Sequence, residues 1–283
     1  WGEAVKISPE CYDCLGRLVR QAAGLATEDE RLRQKAVKEA RGVLDRDFFP
    51  EQVSIVVATR IHQVIREVTG NPDPYRAMKG NELAIARELF PRMRLRCKDA
   101  LGDYIRLAAA ANAIDFFRSP EVIAEDMNRA VDFARDDSAE LEARLAGASR
   151  VLYLADNAGE IYFDLPLVKK LRQQVEVKYV VKPSPVQDDA TMEDIRNAGL
   201  EGEFGAVITT GVASPGVILD SASAQFRREF SSADLIIAKG MGHYESLSEL
   251  PPEGKVFYCL MAKCNPVASS LGVPRDSYVA MLR

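Results

Sequence analysis

The chain has 283 residues, room for about two average domains or one large one, and 47% of it is hydrophobic, enough for a substantial core. A net charge of −5, from 37 basic and 42 acidic residues, gives no broad electrostatic reason to bind nucleic acid or an acidic membrane. No apolar run approaches the ~18–20 residues of a membrane span and no leader pattern is recognisable, so the expectation is a cytoplasmic protein without a membrane partner.

Helical periodicity dominates the first half. Thr27-Glu28-Asp29-Glu30 reads as a capping box opening a helix towards Leu44. Pro50 precedes a helical pattern over 53–68, and Asn71-Pro72-Asp73-Pro74 is a strong break. A run over 81–96 is helical, with Pro91 placed to kink or split it. The Ala-rich stretch 103–117 is apolar on most faces and predicts a buried central helix. Ser119-Pro120 caps the next helix, and a charged helix over 138–145 ends at Gly147.

After Arg150 the period changes. Short apolar runs at 151–154, 175–181, 206–210, 234–238 and 255–260 alternate with helical or loop segments. Continuous apolar strands of this kind predict a parallel sheet covered on both faces. The predicted organisation is a helical domain over 1–148 packed on an open α/β domain over 149–283.

In an open parallel sheet, ligands bind beyond the carboxyl ends of the strands. The first predicted strand runs into Asp156-Asn157-Ala158-Gly159-Glu160, and the second is followed by Asp188-Asp189-Ala190-Thr191. The third ends at Thr210-Gly211, the fourth at Lys239-Gly240 with His243-Tyr244-Glu245 beyond. Carboxylate and amide oxygens suit Mg²⁺ or Mn²⁺, and Asp156, Asn157 and Asp189 offer three of them. Lys239 and the backbone N–H groups around Gly211 and Gly240 suit a phosphate. The chain has neither a GxxxxGK[ST] loop nor a GxGxxG fingerprint, which disfavours a nucleotide triphosphatase or a dehydrogenase.

These residues, taken in order, resemble the metal-dependent damage-control phosphatases, in particular the prokaryotic-type subfamily with an N-terminal CxxC. The resemblance covers essentially the whole chain. It rests on Cys11-x-x-Cys14, Asp73-Pro74-Tyr75 with Lys79, Asn112-x-x-Asp115, Asp156-Asn157-x-Gly159-Glu160, Asp189-x-Thr191, Lys239-Gly240 with Tyr244-Glu245, and Lys263-Cys264. It implies a helical N-terminal domain on a Rossmann-like three-layer α/β/α domain with a mainly parallel sheet. It also implies a divalent ion (Mn, Mg, Ni or Co) on Asp156, Asn157 and Asp189, and singles out Asp189 over Asp188. The implied substrates are small phosphorylated metabolites such as sugar phosphates or phosphopantetheine derivatives. The chain departs from the family pattern at His243 and Asp188, where Asn is usual, and at Ala111, where Gly often stands.

The expected mechanism is attack by metal-activated water, with Lys239 on a second phosphate oxygen. Asp156 is the alternative nucleophile, disfavoured because a carboxylate committed to a metal attacks poorly. Glu160, one helical turn beyond Asp156, is placed to contact substrate, as are Thr210, Gly211 and Gly240. Asn112 and Asp115 share a helix face and either select the alcohol part of the substrate or form a buried pair between domains. Cys11 and Cys14 make a second, soft-metal site if the fold gathers Cys97 and Cys264 to them; a redox pair or structural thiols are the other readings. Two competing functions remain: a methyltransferase using S-adenosylmethionine, and a non-catalytic metal-binding regulatory protein. Against the first, an Asp-Asn motif stands where a glycine-rich cofactor loop is expected.

Overall fold

The structure is a computed structural model and describes residues 5, 7–113, 125 and 129–283. Three helices come first: α1 (Pro9–Ala26), α2 (Glu30–Asp47) and α3 (Ser54–Thr69). They share a core of their own, built on Leu15, Val19, Ala36, Leu44, Ile61 and Ile65. The cap of α2 is Asp29, whose carboxylate accepts from the N–H groups of Arg31 and Leu32. This corrects the expected Thr27 capping box: Asp29 lies directly before the first helical residue, where its short carboxylate reaches the orphan N–H groups. Thr27 Oγ1 instead accepts from Asp29 N at 3.1 Å.

Next come α4 (Arg76–Arg94), which contains Pro91, and α5 (Leu101–Ala111). Asp115, Ser119 and Pro120 lie outside the described residues. The remaining elements are β1 (Phe133–Asp136), α6 (Ser138–Leu145), β2 (Arg150–Leu154), α7 (Ile161–Leu171), β3 (Glu176–Val181), α8 (Met192–Asn197), β4 (Ala206–Thr209), α9 (Ala224–Ser232), β5 (Leu235–Lys239), α10 (Gly240–Leu247), β6 (Val256–Met261), α11 (Asn265–Leu271) and β7 (Tyr278–Leu282).

Among the described residues, seven strands form one sheet in the order β1-β7-β6-β5-β2-β3-β4. Every pairing is parallel except β6 with β7. The five expected strands are present. The sequence reading missed β1 and β7. In β2 and β6, side chains alternate between two apolar layers: Val151 and Tyr153, Phe257 and Cys259 on one face, Leu152 and Leu154, Tyr258 and Leu260 on the other. Burial on both faces is why these strands read as unbroken apolar runs.

The first layer contains α4, α5 and α7 together with sheet residues, and the second contains α10 and α11. The helical half is therefore not one body. Its α1–α3 unit has a separate core, whereas α4, α5 and α6 pack on the sheet. The expected division at 148–149 falls between α6 and β2, within the sheet-bearing part. No helix among the described residues is long and apolar enough to cross a membrane.

The chain leaves β2 towards β3 on one side, while β5 pairs on the other, so strand order reverses between β2 and β5. The carboxyl ends of these two strands border the crevice where such sheets bind ligands.

Candidate active site

Backbone hydrogen bonds knit the loop after β2 to the loop after β3. Asn157 and Asp189 form an antiparallel bridge. Ala158 N donates to Asp188 O at 2.7 Å and Ala190 N to Asp156 O at 2.8 Å. This pairing brings Asp156, Asn157 and Asp189 to one place. Asn157 and Asp189 are buried, and Asp156 is partly exposed. Burial raises the proton affinity of Asp156, and the nearby negative Asp189 raises it further, against Lys263, Lys239 and Lys182. Burial likewise raises Asp189, with Lys182 opposing. Asp189 Oδ2 lacks a hydrogen-bond partner, although Lys182 Nζ stands 3.3 Å away in an ion pair.

Gly240, the first residue after β5, closes the other side. Its φ is +73°, and a Cβ there would lie 1.8 Å from Asp156 Oδ2. Only glycine permits both the left-handed backbone and this approach. Gly240→Ala is expected to destabilise the fold by roughly 1–3 kcal/mol from the backbone alone, and to displace the Asp156 carboxylate. Chemical denaturation and a metal titration of the same variant check both effects; an unchanged metal affinity would show that Asp156 does not need this cradle.

Asn112 ends α5 and is 1% exposed. Its Nδ2 donates to Asp156 Oδ2 at 2.9 Å and to Glu160 Oε1 at 2.8 Å, while its Oδ1 accepts from Met261 N at 2.9 Å. The amide is thus committed to orienting the two carboxylates. Lys239 is fully buried and ion-paired with Glu160 and with Asp164, the latter at 2.9 Å. Burial disfavours its charge, but Asp164 and Glu160 outweigh that and push its pKa up. Asp164 also accepts from Tyr153 Oη at 2.7 Å and Tyr179 Oη at 2.9 Å. The two rings stack on each other, with Phe204 against Tyr179. Lys239 and Glu160, expected at the substrate, are here joined in a buried network behind Asp156. The sequence reading missed Asp164 and the two tyrosines.

Lys182, which that reading also missed, faces Asp189 from the end of β3 and is 1% exposed. Lys79 pairs with Asp73 at 3.1 Å and with Asp194 at 3.3 Å. Asp194 completes a capping box with Thr191 at the start of α8. Thr210 Oγ1 donates to Val212 O at 2.8 Å, and a Cβ on Gly211 would meet Ser223 Cβ at 2.4 Å. These two residues close their loop onto α9. His62 is buried edge-on to Tyr75, and burial drops its pKa to about 3.

The thiols divide. Burial raises the proton affinity of Cys14 and Cys264, opposed by Arg17 at the first and a backbone hydrogen bond from Val267 at the second, with Glu245 and Cys11 adding to it in both. Cys97 sits elsewhere, beside Arg94 and Asp103, and Cys259 is core. Among the described residues, no group of three or more His, Cys, Asp or Glu side chains is arranged to hold a metal. The Asp156, Asn157 and Asp189 set is smaller, two carboxylates and an amide. It fits a hard divalent ion, because two carboxylates, one buried and one partly exposed, stand together and Asp189 Oδ2 has no hydrogen bond beyond its ion pair with Lys182.

Residues 7–279 match the damage-control phosphatase ARMT1-like domain. The chain belongs to this family. It is 34% identical to damage-control phosphatase PH1575 of Pyrococcus horikoshii, over 98% of both chains. It is 33% identical to a damage-control phosphatase of Archaeoglobus fulgidus, over 98% of this chain and 99% of that one. The crystal structure of a DUF89 family protein from P. horikoshii superposes with a TM-score of 0.88 at 33% identity, covering 98% of this chain and 99% of the other. The family expectation and the α/β fold expectation both hold, and family membership carries a phosphatase role.

Proposed function

We propose that this protein is a divalent-metal-dependent phosphatase of small phosphate monoesters, with the ion held by Asp156, Asn157 and Asp189. The observation that carries this reading is the pair of carboxylates brought together at the sheet's switch point, Asp189 buried and Asp156 partly exposed, with Asp189 Oδ2 held only by its ion pair with Lys182. A bound divalent ion supplies positive charge against the phosphoryl oxygens and makes water a better nucleophile at neutral pH.

The chain's own residues do the rest. Asn112 fixes the Asp156 carboxylate, and Gly240 lets the β5 end approach it. Lys182 brings a buried positive charge to Asp189, where a phosphoryl oxygen is favoured. A carboxylate oxygen left free by the ion would accept the proton of attacking water. Lys239 and Glu160 hold the site from behind. Small phosphorylated metabolites, sugar phosphates or phosphopantetheine derivatives, are the proposed substrates.

The experiment is phosphate release from such a panel, using metal-free protein reconstituted with Mn²⁺, Mg²⁺, Ni²⁺ or Co²⁺. Turnover is expected only with metal, and Asp189→Ala is expected to remove both turnover and calorimetric binding of the ion. Equal turnover after chelation would sink the metal assignment.

A further inference from the structure

His243 is fully buried on α10, one helical turn past Lys239. Its Nδ1 lies 2.6 Å from the Lys239 carbonyl oxygen. A carbonyl only accepts, so Nδ1 carries the proton of the neutral ring and Nε2 presents a lone pair. That lone pair points at Lys182 Nζ, 3.4 Å away. An ammonium has three donors, and three acceptors surround this one. The others are Gly216 O at 2.5 Å and Asp189 Oδ2 at 3.3 Å. Gly216 is itself fixed: its φ is +74°, and a Cβ there would lie 2.2 Å from Gly242 O. The acceptors thus come from three separate segments, each pinned by backbone.

We propose that His243 is a positioning residue: a neutral acceptor, locked by the Lys239 carbonyl, that aims the Lys182 ammonium at Asp189. Its catalytic consequence rests on the phosphatase reading; its tautomer and its bond to Lys182 do not. Burial, followed by the Lys182 charge, holds the imidazole pKa well below its ordinary value, in keeping with a ring that accepts from an ammonium. Without that acceptor, one Lys182 donor is buried unsatisfied and the side chain turns away from Asp189. An asparagine reproduces both bonds, donating through Nδ2 to the carbonyl and accepting through Oδ1 from Lys182. A leucine fills space but offers no acceptor.

The direct test is ¹⁵N NMR of the imidazole nitrogens. The chain has two histidines, so His62→Phe assigns the spectrum. The wild type is expected to show the Nδ1–H tautomer at His243, and Lys182→Met to move the Nε2 resonance downfield as the donor disappears. A proton on Nε2, an imidazolium ring, or an Nε2 resonance indifferent to a folded Lys182→Met variant overturns the proposal. If Lys182→Met does not fold, the wild-type tautomer decides. Kinetics provide the second arm. With folds matched by circular dichroism, His243→Leu is expected to lower kcat/KM roughly tenfold to hundredfold, as for a misplaced catalytic group, and His243→Asn to retain most of it. Equal losses in both variants overturn the positioning role. A wild type inactive on every phosphate ester with every ion removes the phosphatase reading and leaves the spectroscopic test standing.

Discussion

Asp156→Asn is expected to lower kcat/KM by on the order of a thousandfold or more, since it removes one of the two carboxylate charges proposed to hold the ion. The substitution keeps the shape of the side chain, and a flipped amide still accepts from Asn112 Nδ2, which now reaches Asp156 Oδ2 at 2.9 Å. Stability moves the opposite way. Asp156 and Asp189 are neighbouring like charges in a largely buried site, and after burial Asp189 is what most raises the proton affinity of Asp156. Neutralising Asp156 removes that repulsion, so the metal-free variant is expected to melt at or above the wild-type temperature. Added Mn²⁺ stabilises only a protein that binds it in the folded state, so the wild type is expected to gain melting temperature with Mn²⁺ and the variant is not. A variant that is inactive yet still stabilised by Mn²⁺ would place the ion elsewhere.

Lys239→Met has a different signature, a loss of stability by about 3–5 kcal/mol, the usual cost of removing one partner of a buried ion pair. The cation lies between Glu160 and Asp164, all three fully buried. Its loss leaves two carboxylates with only neutral donors: Asn112 on Glu160, Tyr153 and Tyr179 on Asp164. Adding Glu160→Gln and Asp164→Asn is expected to recover much of the stability, because apolar or neutral replacement of a whole buried pair is tolerated better than breaking it. Urea denaturation of the single and triple variants measures this. A Lys239→Met protein of unchanged stability, defective only in substrate binding, would return this lysine to the role of phosphate ligand.

The parts of this protein legible in the sequence are those with local causes. Strands β2 to β6 are buried on two faces and so announce themselves as apolar runs between helices. β1 is four residues, Phe-Ala-Arg-Asp, with alternating burial and two charges, and only its pairing with β7 makes it a strand. β7 is apolar, but it returns antiparallel on β6, against the strand–helix alternation that guided the reading. Asp156, Asn157 and the Asp188-Asp189 pair are recognisable as residues after strands, the resemblance singles out Asp189, and the bridge between their loops brings Asn157 and Asp189 together. Lys182 was not, since a lysine before Pro-Ser-Pro looks like a solvated turn. Its signal was its place directly after the buried Val180 and Val181. Tyr153 and Tyr179 are opposite each other across β2 and β3, a relation that exists only once the register is known.

The sheet order also bears on how the chain is made. β1 lies at one edge, and its neighbour is β7, more than a hundred residues further along. During synthesis the parallel strands β2 to β6 can assemble as they leave the ribosome, but β1 waits, with its hydrogen-bonding edge unsatisfied, until β7 arrives to fill the place between it and β6. Open strand edges recruit other chains, so the interval before β7 emerges is the period in which a nascent chain most needs protection.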